Sequence, residues 1–189
     1  MPLVDHSLLR KVASKLREAP SYSEKDMTSS ILKLAASSYG FGAVGDETTV
    51  PTGFDPQAAA LFEAVVESAY LVATADGEFD DAERSTFEHL VIAACEGSVA
   101  ERQVHALVSD LHDQLVEDGA EKRVKMVART VTKPEHAREI LRVAALLAQA
   151  SGGVSDQERQ LMNKLAAAVG LDHGSVDTAL REVDRAMAD

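Results

Sequence analysis

The segment Ala73-Thr-Ala-Asp-Gly-Glu-Phe-Asp-Asp-Ala-Glu-Arg84 returns 75 residues later as Ala148-Gln-Ala-Ser-Gly-Gly-Val-Ser-Asp-Gln-Glu-Arg159. A repeat with fixed punctuation restricts the chain to folds in which one supersecondary unit is used twice. In both copies Ala-x-Ala closes an apolar stripe, Gly77 or Gly152 permits a turn, and Asp80-x-x-Glu83 or Ser155-x-x-Glu158 opens the next helix as a capping box. The unit reads as helix, tight acidic loop, helix.

The residues available for a core point the same way. Apolar residues make up 46% of the 189 positions, but aromatic residues only 4% and Trp is absent, so the interior is built from Ala, Leu and Val, a mix that favours helix over sheet. Asp55-Pro56 supplies an N-cap with proline in the first turn, and Leu61, Phe62, Val65, Val66, Ala69, Tyr70 and Ala73 follow as one wide stripe. Ser98-Val-Ala-Glu101 and Thr132-Lys-Pro-Glu135 read as further helix starts, and Ile140, Leu141, Ala144, Ala145 and Ala148 match the stripe of the first copy. No segment of residues 55–189 alternates apolar and polar residues as a strand does. The expected fold is therefore all-α: a bundle of about seven helices built from the duplicated helix-loop-helix unit, preceded by an N-terminal helical pair.

The N-terminal pair is expected over residues 1–38, with one helix from Asp5 to Pro20 and a second capped by Ser23. Its inner face, including Leu9, Val12, Ile31 and Leu34, is expected to pack on the bundle or on another chain, because an exposed stripe would be an apolar patch. Residues 39–54, with Gly40, Gly42, Gly45, Pro51 and Gly53, read as a linker, and residues 55–189 as the bundle.

Charge and chemistry narrow the function. The net charge is −12, and residues 56–189 carry −11 of it, which argues against a sequence-independent grip on nucleic acid. No run reaches the ~18 apolar residues of a membrane span, and no apolar signal segment opens the chain, so direct membrane insertion is not expected and a cytoplasmic protein is. Cys95, alone and within Val91-Ile-Ala-Ala-Cys95, reads as a core thiol. His105 and His112 share a helix face about 10 Å apart along the axis, too far to ligate one ion together, and read as solvent-facing. Phosphate-binding, serine-hydrolase and zinc-protease signatures are missing, so no enzymatic activity is expected.

The first loop is the candidate site. Asp76, Glu78, Asp80, Asp81 and Glu83 set five carboxylates within eight residues. Asp80 suits an N-cap, and Asp81 and Glu83 suit a first helical turn, where the helix dipole favours anions. Asp76 and Glu78 sit instead at the end of the preceding helix, where the dipole disfavours them and a cation would compensate. Carboxylate oxygens select Ca²⁺ or Mg²⁺. The spacing is not that of an EF-hand, so two readings stand: a metal site formed by Asp76, Glu78, Asp80 and Glu83, or a solvated capped turn. In the second loop Ser151 and Gly153 replace Asp76 and Glu78, and capping accounts for Asp156 and Glu158.

Ala75-Asp-Gly-Glu-Phe-Asp-Asp-Ala-Glu83, its echo at Gly152 to Glu158, and Leu165-Ala-Ala-Ala-Val-Gly-Leu171 together resemble the TerB family of tellurite-resistance proteins over roughly residues 55–180. That family repeats Ala-Asp-Gly-x-aliphatic-x-x-x-Glu twice in an all-helical domain. The resemblance implies a cytoplasmic helical module in tellurite and general stress resistance, with divalent cations bound by its acidic loops; together with the missing catalytic signatures, the leading expectation is a non-enzymatic module that acts through protein partners. Asp76 and Glu83 match the motif's acidic positions and Glu158 matches the second glutamate, whereas Ser151 departs from the expected aspartate. The competing expectation is a metal-free scaffold whose acidic face docks a partner. Homo-oligomers are compatible with either.

Overall fold

The computed structural model describes residues 6–20, 29–42, 54–77 and 79–188, with the side chains of residues 41 and 42 excepted. Among the described residues there are nine helices and no strand: α1 (His6–Arg17), α2 (Ile31–Gly42), α3 (Pro56–Ala73), α4 (Asp81–Cys95), α5 (Glu101–Asp118), α6 (Ala120–Thr130), α7 (Pro134–Ala150), α8 (Asp156–Ala168) and α9 (Ser175–Ala188). Seven of these, α3 to α9, occupy the duplicated region, and the all-α expectation holds. None is long and apolar enough to cross a membrane.

The two copies of the repeat put α3 and α7 at the centre, packed against each other. Both are buried along most of their length, from Leu61 to Val72 apart from Glu63 on the first and from Glu139 to Ala148 on the second. Their Ala-rich faces allow that close approach. Around them stand α4, α5, α6, α8 and α9, each contributing a single apolar stripe such as Val104, Leu107, Val108 and Leu111 of α5. Short helices of this kind hold only through such packing.

The N-terminal pair belongs to the same core. Val12 and Leu16 of α1 meet α4 and α7, while Ile31, Leu32, Ala35 and Ala36 of α2 meet α3 and α4 in one contiguous cluster. Packing on the bundle is thus the arrangement found. Glu96, the left-handed cap of α4 at φ 47°, ties both helices down, with Arg17 at 3.1 Å and Lys33 at 2.5 Å. Lys33 first, then Arg17, holds the Glu96 carboxyl below the usual carboxylate range.

Several local expectations are corrected. Leu34 is 56% exposed rather than inward, because Ile31, Leu32, Ala35 and Ala36 define the buried stripe. Helix α2 continues to Gly42, four residues into the span read as a linker, since Tyr39 lies against Phe62 with ring centroids 4.7 Å apart and Gly40 meets the backbone of Ser98. Ser30, whose Oγ accepts from the Lys33 N–H at 3.1 Å, stands at the start of that helix; Asp5, Ser23 and Met27 lie outside the described residues. Ser98 does not cap α5. Ala100 does, and its N–H donates to Gln103 Oε1 at 2.9 Å, so only half of a capping box is built, a methyl group having no oxygen to accept the return bond. Likewise Lys133 precedes α7 with Pro134 in the first turn and Thr132 makes no cap. Cys95 is fully buried, and burial pushes its thiol up to about 12, consistent with packing and not with nucleophilicity.

Candidate functional site: the paired turns

Both turns begin where an apolar stripe runs out. After α3, Thr74 closes the helix with its Oγ1 donating to the Tyr70 carbonyl at 3.0 Å, and Gly77 takes φ +80°, the left-handed region that a side chain disfavours. After α7, Ser151 plays the closing part, its Oγ donating to the Ala148 carbonyl at 3.0 Å, followed by Gly152 and Gly153 at φ +106°. The second helix runs two residues beyond the repeat register, so Ser151, the counterpart of Asp76, is used as a cap.

Each following helix starts with a complete capping box, as the sequence predicts. Asp80 Oδ1 accepts from the N–H groups of Ala82 and Glu83, both at 2.8 Å, and Glu83 Oε2 accepts from the Asp80 N–H at 3.0 Å. Ser155 Oγ accepts from the Glu158 N–H at 3.2 Å, and Glu158 Oε2 accepts from the Ser155 N–H at 2.7 Å. Ser155→Ala therefore removes the acceptor for one N–H and is expected to lower stability by ~1 kcal/mol. Urea denaturation measures this, and an unchanged midpoint would remove the box from the list of stabilising contacts.

Of the four candidate ligands, three are described. Asp76 is exposed in the turn, three residues beyond α3, while Asp80 and Glu83 share the start of α4; Glu78 lies outside the described residues. Among the described residues no three or more His, Cys, Asp or Glu side chains are grouped so as to hold a metal ion. The donors that are present are of the hard-oxygen type that suits Ca²⁺ or Mg²⁺. Capping uses one oxygen of Asp80 and one of Glu83 and leaves each carboxylate a second oxygen outside the cap.

The base of the first turn is aromatic. Phe79 meets Tyr70 edge-on at 5.4 Å and Phe87 at 6.2 Å, and Tyr70 meets Phe87 at 6.0 Å. Seventy-five residues on, the same positions carry Val154, Ala145 and Met162, none of them aromatic. Tyr70 reaches α5 through its hydroxyl, 3.2 Å from His112 Nδ1. Burial raises the Tyr70 hydroxyl above the ordinary tyrosine range, and Arg84 opposes that rise. His105 Nδ1 lies 2.7 Å from Glu88 Oε2, and Arg84 Nε donates to Glu88 Oε1 at 2.9 Å. The two histidines are exposed as expected, but each ties α5 to a neighbouring helix.

Sequence reading missed the buried charges. Glu67, Glu88, Glu139, Arg142 and Glu158 are all less than 9% exposed. Glu67 and Arg142 occupy equivalent positions of the two repeats, and each holds an outlying element to a central helix. Glu67 bonds Arg123 of α6 at 2.5 Å. Arg142 bonds Glu139 at 3.0 Å and donates to the backbone carbonyls of Lys15 and Glu18 at the end of α1. The available signal was a charged residue inside an otherwise unbroken apolar stripe.

An all-helical bundle made from a duplicated helix-turn-helix, with a capping box at each turn and extra acids at only one, defines the class of module. The family model described as tellurite resistance protein TerB matches residues 62–181, and the chain belongs to the TerB family. No curated protein and no solved structure matches the chain.

Proposed function

We propose that the chain is a non-enzymatic TerB-type module that acts in tellurite and stress resistance through protein partners and takes a divalent cation, Ca²⁺ or Mg²⁺, at its first acidic loop. The observation that carries the cation is the asymmetry between two turns on one scaffold. Both start their second helix with the same box, yet only the first adds Asp76 and Glu78. Those two acids have no counterpart in the working second turn, so helix capping does not account for them. A hard cation would be held by Asp76, Glu78 and the uncommitted oxygens of Asp80 and Glu83, and it would offset carboxylate repulsion at the end of α3. Family membership supports the same reading.

A metal-free scaffold is the second reading. It is favoured by the capping box itself, which gives Asp80 and Glu83 a structural task shared with Ser155 and Glu158. Thermal melting with and without Ca²⁺ or Mg²⁺ separates the two. A bound ion stabilises the fold by ~2.7 kcal/mol at a hundredfold excess over its dissociation constant. Asp76→Ala is expected to abolish the ion-dependent rise in Tm and Asp156→Ala to preserve it. A wild-type Tm indifferent to millimolar Ca²⁺ and Mg²⁺ leaves the scaffold reading.

A further inference from the structure

The charge of this protein is segregated between two consecutive helices. Helix α5 carries 5 Asp+Glu against one Arg, whereas α6 carries 4 Lys+Arg against one acid, the exposed Glu121, within a chain of net −12. A single residue, Gly119, joins α5 to α6, and both helices turn their apolar stripes toward α3. Their other faces are exposed. On α5 that face presents Asp110, Asp113 and Glu117, and on α6 it presents Lys125 and Arg129. None of these five is in an ion pair among the described residues.

Each helix also carries an exposed apolar residue at the edge of that face. Val116 is 74% exposed and Met126 is 38% exposed, two of the three large hydrophobic side chains left exposed among the described residues. Next to the acidic face, partial desolvation first and then the charges of Glu67 and Asp110 hold the Glu63 carboxyl, itself at the surface, above the usual carboxylate range.

We propose that the exposed faces of α5 and α6 form a self-association surface in which α5 of one copy docks on α6 of a second copy. The two faces match in spacing and oppose in sign: acids at i, i+3 and i+7 meet bases at i and i+4, with Val116 and Met126 as apolar contacts. Because the two faces adjoin in one chain, a twofold arrangement repeats the contact and leaves neither face open, giving a closed dimer rather than a filament. The proposal does not depend on the cation reading, since neither face includes the acidic loop. Exposed ion pairs contribute at most about 1 kcal/mol each, so the dimer is weak and salt-sensitive. The net charge of each copy opposes approach at long range, but at 0.15 M salt that repulsion is screened beyond about 8 Å while contacts persist; at 1 M the screening length is about 3 Å.

Sedimentation equilibrium of the full chain tests this. At 0.15 M NaCl the wild type is expected to show a concentration-dependent monomer–dimer equilibrium that 1 M NaCl weakens by about tenfold or more, a change of ~1.4 kcal/mol. Two variants are then compared, D110K/D113K/E117K and K125E/R129E, with helicity checked by circular dichroism. Each alone is expected to be monomeric, because like charges now face each other. Mixed, they are expected to form a heterodimer, because reversed α5 meets reversed α6 and native α6 meets native α5. A wild type that stays monomeric, self-association that survives in either variant alone, or a mixture that stays monomeric would overturn the proposal.

Discussion

Replacing Arg142 with alanine is expected to lower the stability of the protein by about 3 to 5 kcal/mol, the loss that follows when one partner of a buried pair is removed. Arg142 is 8% exposed and Glu139 is 0% exposed, and their 3.0 Å contact lies inside the central helix α7. The variant takes from the Glu139 carboxylate its guanidinium partner where water does not replace it. It also strips the Lys15 and Glu18 carbonyls of their donor at the end of α1, which a helix C-terminus needs. For a chain of this size the loss corresponds to a fall in Tm of about 6 to 20 °C. Glu139→Leu/Arg142→Met is expected to recover most of it, because replacing both charges by apolar groups removes the desolvation penalty together with the bond. Urea denaturation of the single and double variants measures the coupling. An alanine variant within 1 kcal/mol of wild type would show that Glu139 is satisfied without Arg142 and that α1 is held by its other contacts, the apolar stripe and Arg17–Glu96.

Gly40→Ala is the second large effect, and two principles give it opposite signs. Within a helix, alanine is favoured over glycine by about 1 kcal/mol, so propensity predicts a gain. The tertiary contact predicts a loss. A Cβ at Gly40 would stand 1.8 Å from the Ser98 carbonyl oxygen and 2.9 Å from its carbon, and both are backbone atoms. No rotamer change relieves such a contact, so α2 or the α4–α5 turn must move. Overpacking of this kind costs about 1 to 3 kcal/mol, and the backbone contact places Gly40→Ala at the upper end. The expected result is a net loss of about 2 kcal/mol or more, with Ser37→Ala on the exposed side of α2 as a control that shows only the propensity gain of about 0.5 kcal/mol. A stabilised Gly40→Ala protein would mean that α2 does not sit against the α4–α5 turn.

How far the fold was legible followed from the range of each signal. The start of α3 was visible because Asp55 caps within its own turn, accepting from Gln57 N–H at 2.9 Å and Ala58 N–H at 3.3 Å. The start of α5 was misread for the same local reason. Ser98 and Glu101 have the spacing of a box, but Ser98 is held in the turn beneath Gly40, and Ala100 takes the cap position. In sequence Leu34 shares a helical face with Ile31, three residues before it, and reads as inward. The packing of α2 on α3 and α4 selected the adjacent stripe through Leu32 and Ala36.

The candidate site divides in the same way. The duplicated boxes Asp80–Glu83 and Ser155–Glu158 were readable because both partners lie three residues apart on one helix start. His105–Glu88 and Tyr70–His112 were not, because their partners are 17 and 42 residues apart and meet only when α3, α4 and α5 assemble.

The sequence by itself determined the all-helical class, the twofold use of one helix-turn-helix unit, the core thiol and the concentration of acid at the first turn. Periodicity, capping and composition act within one or two helical turns and survive without knowledge of neighbours. The tertiary structure alone decided that the N-terminal helices share the central core, that Glu96 clasps both of them, and that equivalent positions of the repeat became Glu67 and Arg142 holding different outlying helices. A charge inside an apolar stripe has a meaning only through the groups that meet it, and here these include groups on another helix or at the end of one, as much as 127 residues away.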